Sequence, residues 1–333
     1  MNDFGYARVD TVQAALQAMR THPGAMLLAG GTTVVDLLRE DVFAPDTVID
    51  IGGLPLREIK VGRDETVIGA LVPNSELAWN RAIVSLFPVV SQALLAGASG
   101  QIRNMASVGG NLLQRTRCPY FRQLEARCNK RDPGTGCAAV EGFNRSHAIF
   151  GGSDHCVATH PSDFTVALTA VDARIHLLGP DGEREVPITE FYLEPGDTPQ
   201  RENRLQPGEL ILGVKLPHAP AGRGSHYLKV RDRQSYEFAL ASAAVALDAS
   251  SGVMSGVRIA LGGVATVPWR ARAAEQLLEG RRPSAALLAE AGGAAAEGAR
   301  PLRDNAFKVA LVRRTVIAAL HQVTGLPPGP EPA

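Results

Sequence analysis

This 333-residue sequence has no excess of either charge: Lys plus Arg and Asp plus Glu both number 34. Such a balance gives no support to nucleic-acid binding, and it leaves little self-repulsion to keep the chain monomeric. Aromatic residues make up only 5% of the chain, which argues against base-stacking surfaces. No apolar run approaches the roughly 18 residues of a transmembrane helix. The opening residues, Met1-Asn2-Asp3-Phe4-Gly5-Tyr6, show neither a basic n-region nor an apolar h-region, so no export signal is expected. A cytoplasmic location is the default expectation, and a periplasmic one requires co-export with a signal-bearing partner. Hydrophobic content of 45% and charged content of 20% fit a soluble globular protein with a large core, and the length suggests two domains.

Cysteine is absent everywhere except between Cys118 and Cys156, where Cys118, Cys128, Cys137 and Cys156 fall together. Clustering of this kind points to one local job: a metal or cluster site, or a pair of disulfides. The gaps of nine, eight and eighteen residues do not build the C-x₂₋₄-C knuckles of structural zinc. Cys₄ is the usual ligand set of a [4Fe-4S] cluster, a net negative object. Arg115, Arg117, Arg122, Arg127, Lys130, Arg131 and Arg145 surround it, against Glu125, Asp132 and Glu141. These cations are expected to compensate the cluster. A reducing compartment disfavours the disulfide alternative. Turn formers fill the loop: Pro119, Asp132-Pro133-Gly134-Thr135-Gly136 and Gly151-Gly152-Ser153-Asp154. His147, His155 and His160 are candidate replacement ligands, but surface loop histidines are the plainer reading of each.

Periodicity predicts a helix over 10–21, strands over 26–29 and 47–51, one or two strands over 57–71, and helices over 74–79 and 85–98. A helix over 162–171 and a strand over 174–178 follow the cysteine loop. The proline-rich stretch 180–208 is the expected domain boundary. Beyond it, 210–216, 226–230, 238–247 and 257–262 read as strands of one mostly antiparallel sheet, with helices near 270–279, 284–297 and 305–324. A disordered tail is expected over 326–333.

Two glycine loops carry the binding chemistry. Met26-Leu27-Leu28-Ala29-Gly30-Gly31-Thr32-Thr33-Val34 reads as strand, glycine turn, hydroxyls, then helix, which turns backbone N–H groups toward an anion such as a pyrophosphate. It is neither a G-x-G-x-x-G fingerprint nor a P-loop. Ser107-Val108-Gly109-Gly110-Asn111 has the same character, and two such loops suit one extended dinucleotide. Ser162 or Asp163 is positioned to cap the next helix. Asp163 is equally a candidate flavin contact, and Lys229, in a charge run that otherwise reads as a solvated turn, is a candidate to stabilise negative charge on a reduced flavin.

Taken together these segments resemble the FAD-binding subunit of the molybdenum hydroxylases, the xanthine oxidase family, over nearly the whole chain. Leu27 to Val34 looks like the family's pyrophosphate loop and Ser107 to Asn111 like its second FAD loop. Pro161-Ser162-Asp163 matches its flavin-contacting aspartate segment, Ile211 an apolar FAD contact, and Lys229 the flavin-site lysine. The inserted cysteine loop resembles that of the bacterial aldehyde oxidoreductase subgroup, whose FAD subunit carries an extra [4Fe-4S] cluster on residues matching Cys118, Cys128, Cys137 and Cys156. Gly97 stands where some relatives have an aromatic residue near the flavin.

The fold implied is α+β: a two-lobed, vanillyl-alcohol-oxidase-like (PCMH-type) FAD-binding domain over 1–180, with the iron–sulfur insertion at 115–158, then a C-terminal antiparallel sheet-and-helix domain over 181–325. The function implied is electron transfer in a heterotrimeric aldehyde oxidoreductase. Its partners are a molybdenum-cofactor subunit, a small [2Fe-2S] subunit and an external electron acceptor. The cluster's role stands open between relay and structural staple. The alternatives are a non-enzymatic metal-binding scaffold and a stand-alone flavin oxidase.

Overall fold

The computed structural model describes residues 1–327. Its first sheet is small and parallel, with β1 (Gly5–Arg8), β2 (Met26–Leu28) and β3 (Thr47–Asp50) in the order β1-β3-β2. Parallel neighbours need crossovers, and two helices supply them. Helix Val12–Thr21 starts where the Thr11 side chain accepts a hydrogen bond from the Ala14 N–H, and it buries Ala15 against Ile49, Ile51 and Leu54. Helix Val34–Arg39 follows the first glycine loop.

The second sheet is antiparallel and runs β4-β5-β8-β6-β7, from β4 (Ile59–Val61), β5 (Glu65–Gly69), β6 (Arg174–Gly179), β7 (Gly182–Pro187) and β8 (Leu210–Pro217). Here the expectation that 210–216 opens the C-terminal sheet is corrected: β8 lies between β5 and β6, pairing Ile68 with Val214 and Ile175 with Val214 on its two sides. An apolar strand, LILGVKLP, suits a central position flanked on both edges. Gly213 is required there, because a Cβ would lie 2.2 Å from the Ile68 carbonyl oxygen. The prolines of 180–208 therefore punctuate a loop within one sheet; they mark turns, and turns occur inside domains as well as between them.

The single helix expected over 85–98 is two, Arg81–Leu86 and Pro88–Ala96. Pro88 cannot continue the first helix but suits the first turn of the second. Helix Pro88–Ala96 and helix Asp163–Ala170 are the spine of the largest apolar cluster, which includes Phe87, Phe164, Phe191 and Val214.

The third sheet, in the order β12-β11-β10-β9, comprises β9 (Ser225–Val230), β10 (Ala241–Asp248), β11 (Ser255–Gly262) and β12 (Trp269–Arg270), all antiparallel. Helices Arg272–Leu278, Ala285–Ala294 and Phe307–Thr324 cover one face through a second apolar cluster. Tyr227, Ala244 and Ala260 carry the other face into the first cluster. Lys308 is fully buried and donates to the carbonyl oxygens of Ser146, His147 and Gly263 at 3.0, 3.0 and 2.7 Å, pinning the cysteine insertion to this domain. Lys308→Met leaves three acceptors without this donor. A loss of about 3 kcal/mol is expected, read as a lowered urea midpoint at unchanged m. Of the tail expected over 326–333, residues 328–333 lie outside the described residues.

Candidate cofactor sites

β2 runs directly into Gly30, whose hypothetical Cβ would sit 1.7 Å from the Met105 carbonyl oxygen; no other residue fits. Gly31 follows with φ +75°, a conformation glycine adopts without strain. Among the described residues, the backbone N–H groups of Gly30, Gly31, Thr32 and Thr33 donate to no protein acceptor, and Thr33 makes no side-chain cap. Four half-buried donors are thus left facing a cleft.

The second loop differs from its expected character. Val108 N–H donates to Val72 O, Gly109 to Ala70 O, Gly110 to Ser107 Oγ and Asn111 to Ser107 O. Its donors are consumed by the short helix Val108–Leu112 and by the turn after β5. It therefore offers close approach and not an anion nest: Gly109 packs on Ala70, with 3.1 Å from its hypothetical Cβ to the Ala70 Cβ.

Two cavities meet here. The first is largely apolar and is lined by Met26, Leu27, Ala29, Gly30 to Val34, Ser107, Gly109 and Ile211. The second is lined by Gly97, Asn111, Asp163 and Lys229. Thr32, Thr33 and Gly110 line both, so they form one continuous trough. Of the expected residues, Leu28 and Val108 line neither; Val108 belongs to the core.

At the far end of the trough a buried ion pair joins Lys229 Nζ to Asp163 Oδ2 at 2.7 Å, with side chains 4% and 10% exposed. Ser162 is the helix cap, its Oγ accepting from the Thr165 N–H, so the Asp163 carboxylate is left free for other partners. Tyr227 donates its hydroxyl to Asp163 Oδ1 at 2.5 Å. Burial, and then the Asp163 carboxylate, hold that phenol well above its usual range, so it stays a donor. Tyr227 is the residue that sequence reading missed, although it stands two before Lys229 on one strand and so shares its face. Ser162 Oγ also donates to Asn111 Oδ1 at 2.7 Å, joining the second loop to this helix. Gly97 borders the same end: a Cβ there would lie 3.3 Å from Asp163 Oδ2.

The four cysteines converge on one small cavity, walled also by Phe121, Arg127, Lys130, His155 and Ala158. No disulfide joins any two of them. Cys128 and Cys137 face each other across an antiparallel bridge. The turn between them is held by Asn129 Oδ1, which accepts from the N–H groups of Gly134 and Gly136, at φ +90° and +98°. Burial pushes the Cys118 thiol up to about 12, and raises that of Cys156. Among the described residues no three His, Cys, Asp or Glu side chains come close enough to hold one metal ion. A single tetrahedral ion with Zn–S bonds of about 2.3 Å needs a tighter cage than this.

The arginines do not do what their number suggested. Arg117 and Arg122 reach Asp36, and Arg122 also Glu40 at 2.8 Å; Arg115 pairs with Glu202. Arg131 donates to the carbonyl oxygens of Tyr120, Phe121, Gln123, Leu124 and Ala126, and Arg145 forks onto Asp232 at 2.7 and 2.9 Å. Only Arg127 and Lys130 among the seven cations line the thiol cavity. Nor are all three histidines surface residues. His147 is buried and 3.2 Å from Cys118 Sγ, and burial lowers its pKa to about 4. His160 is packed edge-on to Tyr192, its pKa lowered to about 3 by burial.

Two lobes and a sheet-and-helix domain around a trough with orphaned N–H donors define a flavin-binding subunit. The family comparisons agree. Residues 2–219 match the FAD binding domain in molybdopterin dehydrogenase, and residues 226–323 match the CO dehydrogenase flavoprotein C-terminal domain. The chain is 47% identical to the aldehyde oxidoreductase FAD-binding subunit PaoB of Escherichia coli over 97% of its own length and 98% of that protein's. It is 27% identical to the carbon monoxide dehydrogenase medium chain of Hydrogenophaga pseudoflava, covering 89% and 88% of the two chains. A solved structure of carbon monoxide dehydrogenase from the same organism superposes with a TM-score of 0.77 at 25% identity, covering 97% of this chain and 98% of that one. The chain belongs to the FAD-binding subunits of the molybdenum hydroxylase family and is an oxidoreductase subunit. No helix among the described residues is long and apolar enough to cross a membrane.

Proposed function

We propose that this chain is the FAD- and [4Fe-4S]-carrying electron-transfer subunit of a molybdenum aldehyde oxidoreductase. Its partners in that reading are a molybdenum-cofactor subunit, a [2Fe-2S] subunit and an external electron acceptor. The observation that carries the reading is the trough itself: free N–H donors at the middle, an apolar cavity on one side, and a buried acid–base pair on the other. Bound FAD supplies two-electron and one-electron redox chemistry that no side chain here possesses. The chain supplies position and charge. Gly30, Gly31, Thr32 and Thr33 hold the pyrophosphate through their unpaired N–H groups and hydroxyls. Ile211 gives an apolar contact. Asp163, fixed from two sides by Lys229 and Tyr227, orients the ring and sets its local charge.

Cys118, Cys128, Cys137 and Cys156 fit a cluster in donor type, in number and in their convergence on one cavity. Cys118 and Cys156, the thiols with raised pKa values, bind only as thiolates, so loading releases protons and is favoured as pH rises. Fixing so long an irregular loop has a large entropic cost, and this favours a structural role for the cluster over a relay.

The test is an absorption spectrum of the anaerobically purified chain, with iron, sulfide and zinc assayed on the same sample. Flavin bands with about four iron and four sulfide per chain are expected. Flavin without iron removes the cluster from the reading; zinc without flavin sinks it altogether. For Cys128→Ser the expected result is lost iron and a lower Tm with turnover retained at saturating FAD, whereas lost turnover at full flavin occupancy reverses the choice in favour of a relay.

A further inference from the structure

The cysteine insertion and the pyrophosphate loop share a small core of their own. Leu37 and Val42, from the helix that leaves the Gly30-Gly31 turn and the residues after it, pack with Phe121 and Cys128, and Phe43 and Cys118 close the cluster. Two of the four thiols are thus walls of the helix that carries the first loop. The same two segments are joined electrostatically: Arg117 Nη1 meets Asp36 Oδ2 at 2.9 Å, and Arg122, its side chain 16% exposed, bridges Asp36 and Glu40. Arg115 lies over both Phe43 and Phe121, at 5.1 and 4.9 Å from the ring centroids. On the opposite side, Thr116 Oγ1 donates to Thr159 O at 3.1 Å, tying the insertion's two ends together just before Asp163.

We propose that cluster occupancy and FAD binding are thermodynamically linked through this shared core, with Arg122, which lines neither cavity of the trough, as the positioning residue for the Gly30–Thr33 loop. The inference rests on the cysteines holding the cluster. An unloaded cysteine site leaves Cys118 and Cys128 without a common anchor, so the small core loosens, helix Val34–Arg39 loses its backing, and the four N–H donors lose their aim. Linkage is reciprocal: whatever factor the cluster adds to FAD affinity, FAD adds to cluster retention.

The experiment is a fluorescence titration of the deflavinated full chain with FAD, before and after anaerobic removal of iron by a chelator. An FAD Kd weakened about tenfold or more by iron removal is expected, with iron release slowed by the same factor when FAD is bound. In Arg122→Ala, which keeps every cysteine and every residue lining the trough, iron content stays at the wild-type value and FAD binding weakens. Arg122→Lys, which holds one carboxylate but not the bridge, falls between. A loaded chain whose FAD Kd ignores iron overturns the linkage alone. A chain that takes up no iron overturns the cluster reading and the linkage with it. If removing iron unfolds the chain, Arg122→Ala decides: wild-type FAD affinity at full iron content overturns the proposal.

Discussion

Gly30→Ala yields a folded protein that purifies without FAD. The added methyl would stand 1.7 Å from the Met105 carbonyl oxygen and 2.6 Å from its carbon, and both are backbone atoms. Backbone cannot rotate away as a side-chain end does, so either the loop or helix Gly100–Met105 must move. Moving the loop displaces four consecutive N–H groups in the trough that no protein acceptor uses among the described residues. Overpacking of this kind costs roughly 1–3 kcal/mol, which the remaining core tolerates, whereas the loop geometry does not. Gly31→Ala is the milder comparison: its φ of +75° penalises a side chain, by roughly 1–2 kcal/mol, and its hypothetical Cβ meets only side-chain methyls, of Val35 at 3.1 Å and Leu28 at 3.5 Å. Flavin released by acid and quantified per chain should therefore rank wild type, then Gly31→Ala, then Gly30→Ala at or near zero. Full flavin occupancy in Gly30→Ala would exclude this loop as the pyrophosphate cradle.

Lys229→Met destabilises the protein by about 3–5 kcal/mol, because it strands a buried carboxylate. Both side chains of the pair are almost fully enclosed, so solvent screening offers little relief. Tyr227 still donates to Asp163, but one neutral hydrogen bond does not balance a desolvated charge. Asp163→Asn is expected to lose less, since the amide oxygen can still accept from Tyr227 or Lys229. Both variants should also lose flavin, and urea denaturation with and without added FAD separates the two effects. Equal midpoints for Lys229→Met and wild type would mean that the pair is solvated in solution.

Much of the trough was legible because its signals are local. A Gly-Gly turn between an apolar strand and a helix, a Ser-Asp start to an apolar helix, and a lysine closing a strand each declare themselves within a few residues. Ser162 and Asp163 illustrate the limit of that reading. Either could cap the helix on paper, and only the packed chain shows Ser162 taking the cap while Asp163 turns to Lys229. The second glycine loop is harder to read because two of its N–H groups are consumed by Ala70 and Val72, far back in the sequence, and two more by its own Ser107. The arginines escape sequence reading for the same reason: they pair with Asp36, Glu202 and Asp232, and nothing near Arg115, Arg117, Arg122 or Arg145 in the sequence advertises those carboxylates. The placing of β8 failed differently. Its alternation predicts a strand correctly, but which edge it joins depends on two strands from opposite sides of the cysteine insertion.

That placing of β8 has a consequence for how the protein is made. A nascent chain that has reached residue 200 already holds every cysteine, both glycine loops and Asp163, but β5 and β6 still have no strand between them. Ile211, a wall of the trough, is not yet synthesised, and neither is Lys229. Pairings this distant in sequence form slowly and late. The ribosome therefore releases the materials of the cysteine site well before those of the flavin site, and the order of translation is also an order of cofactor opportunity.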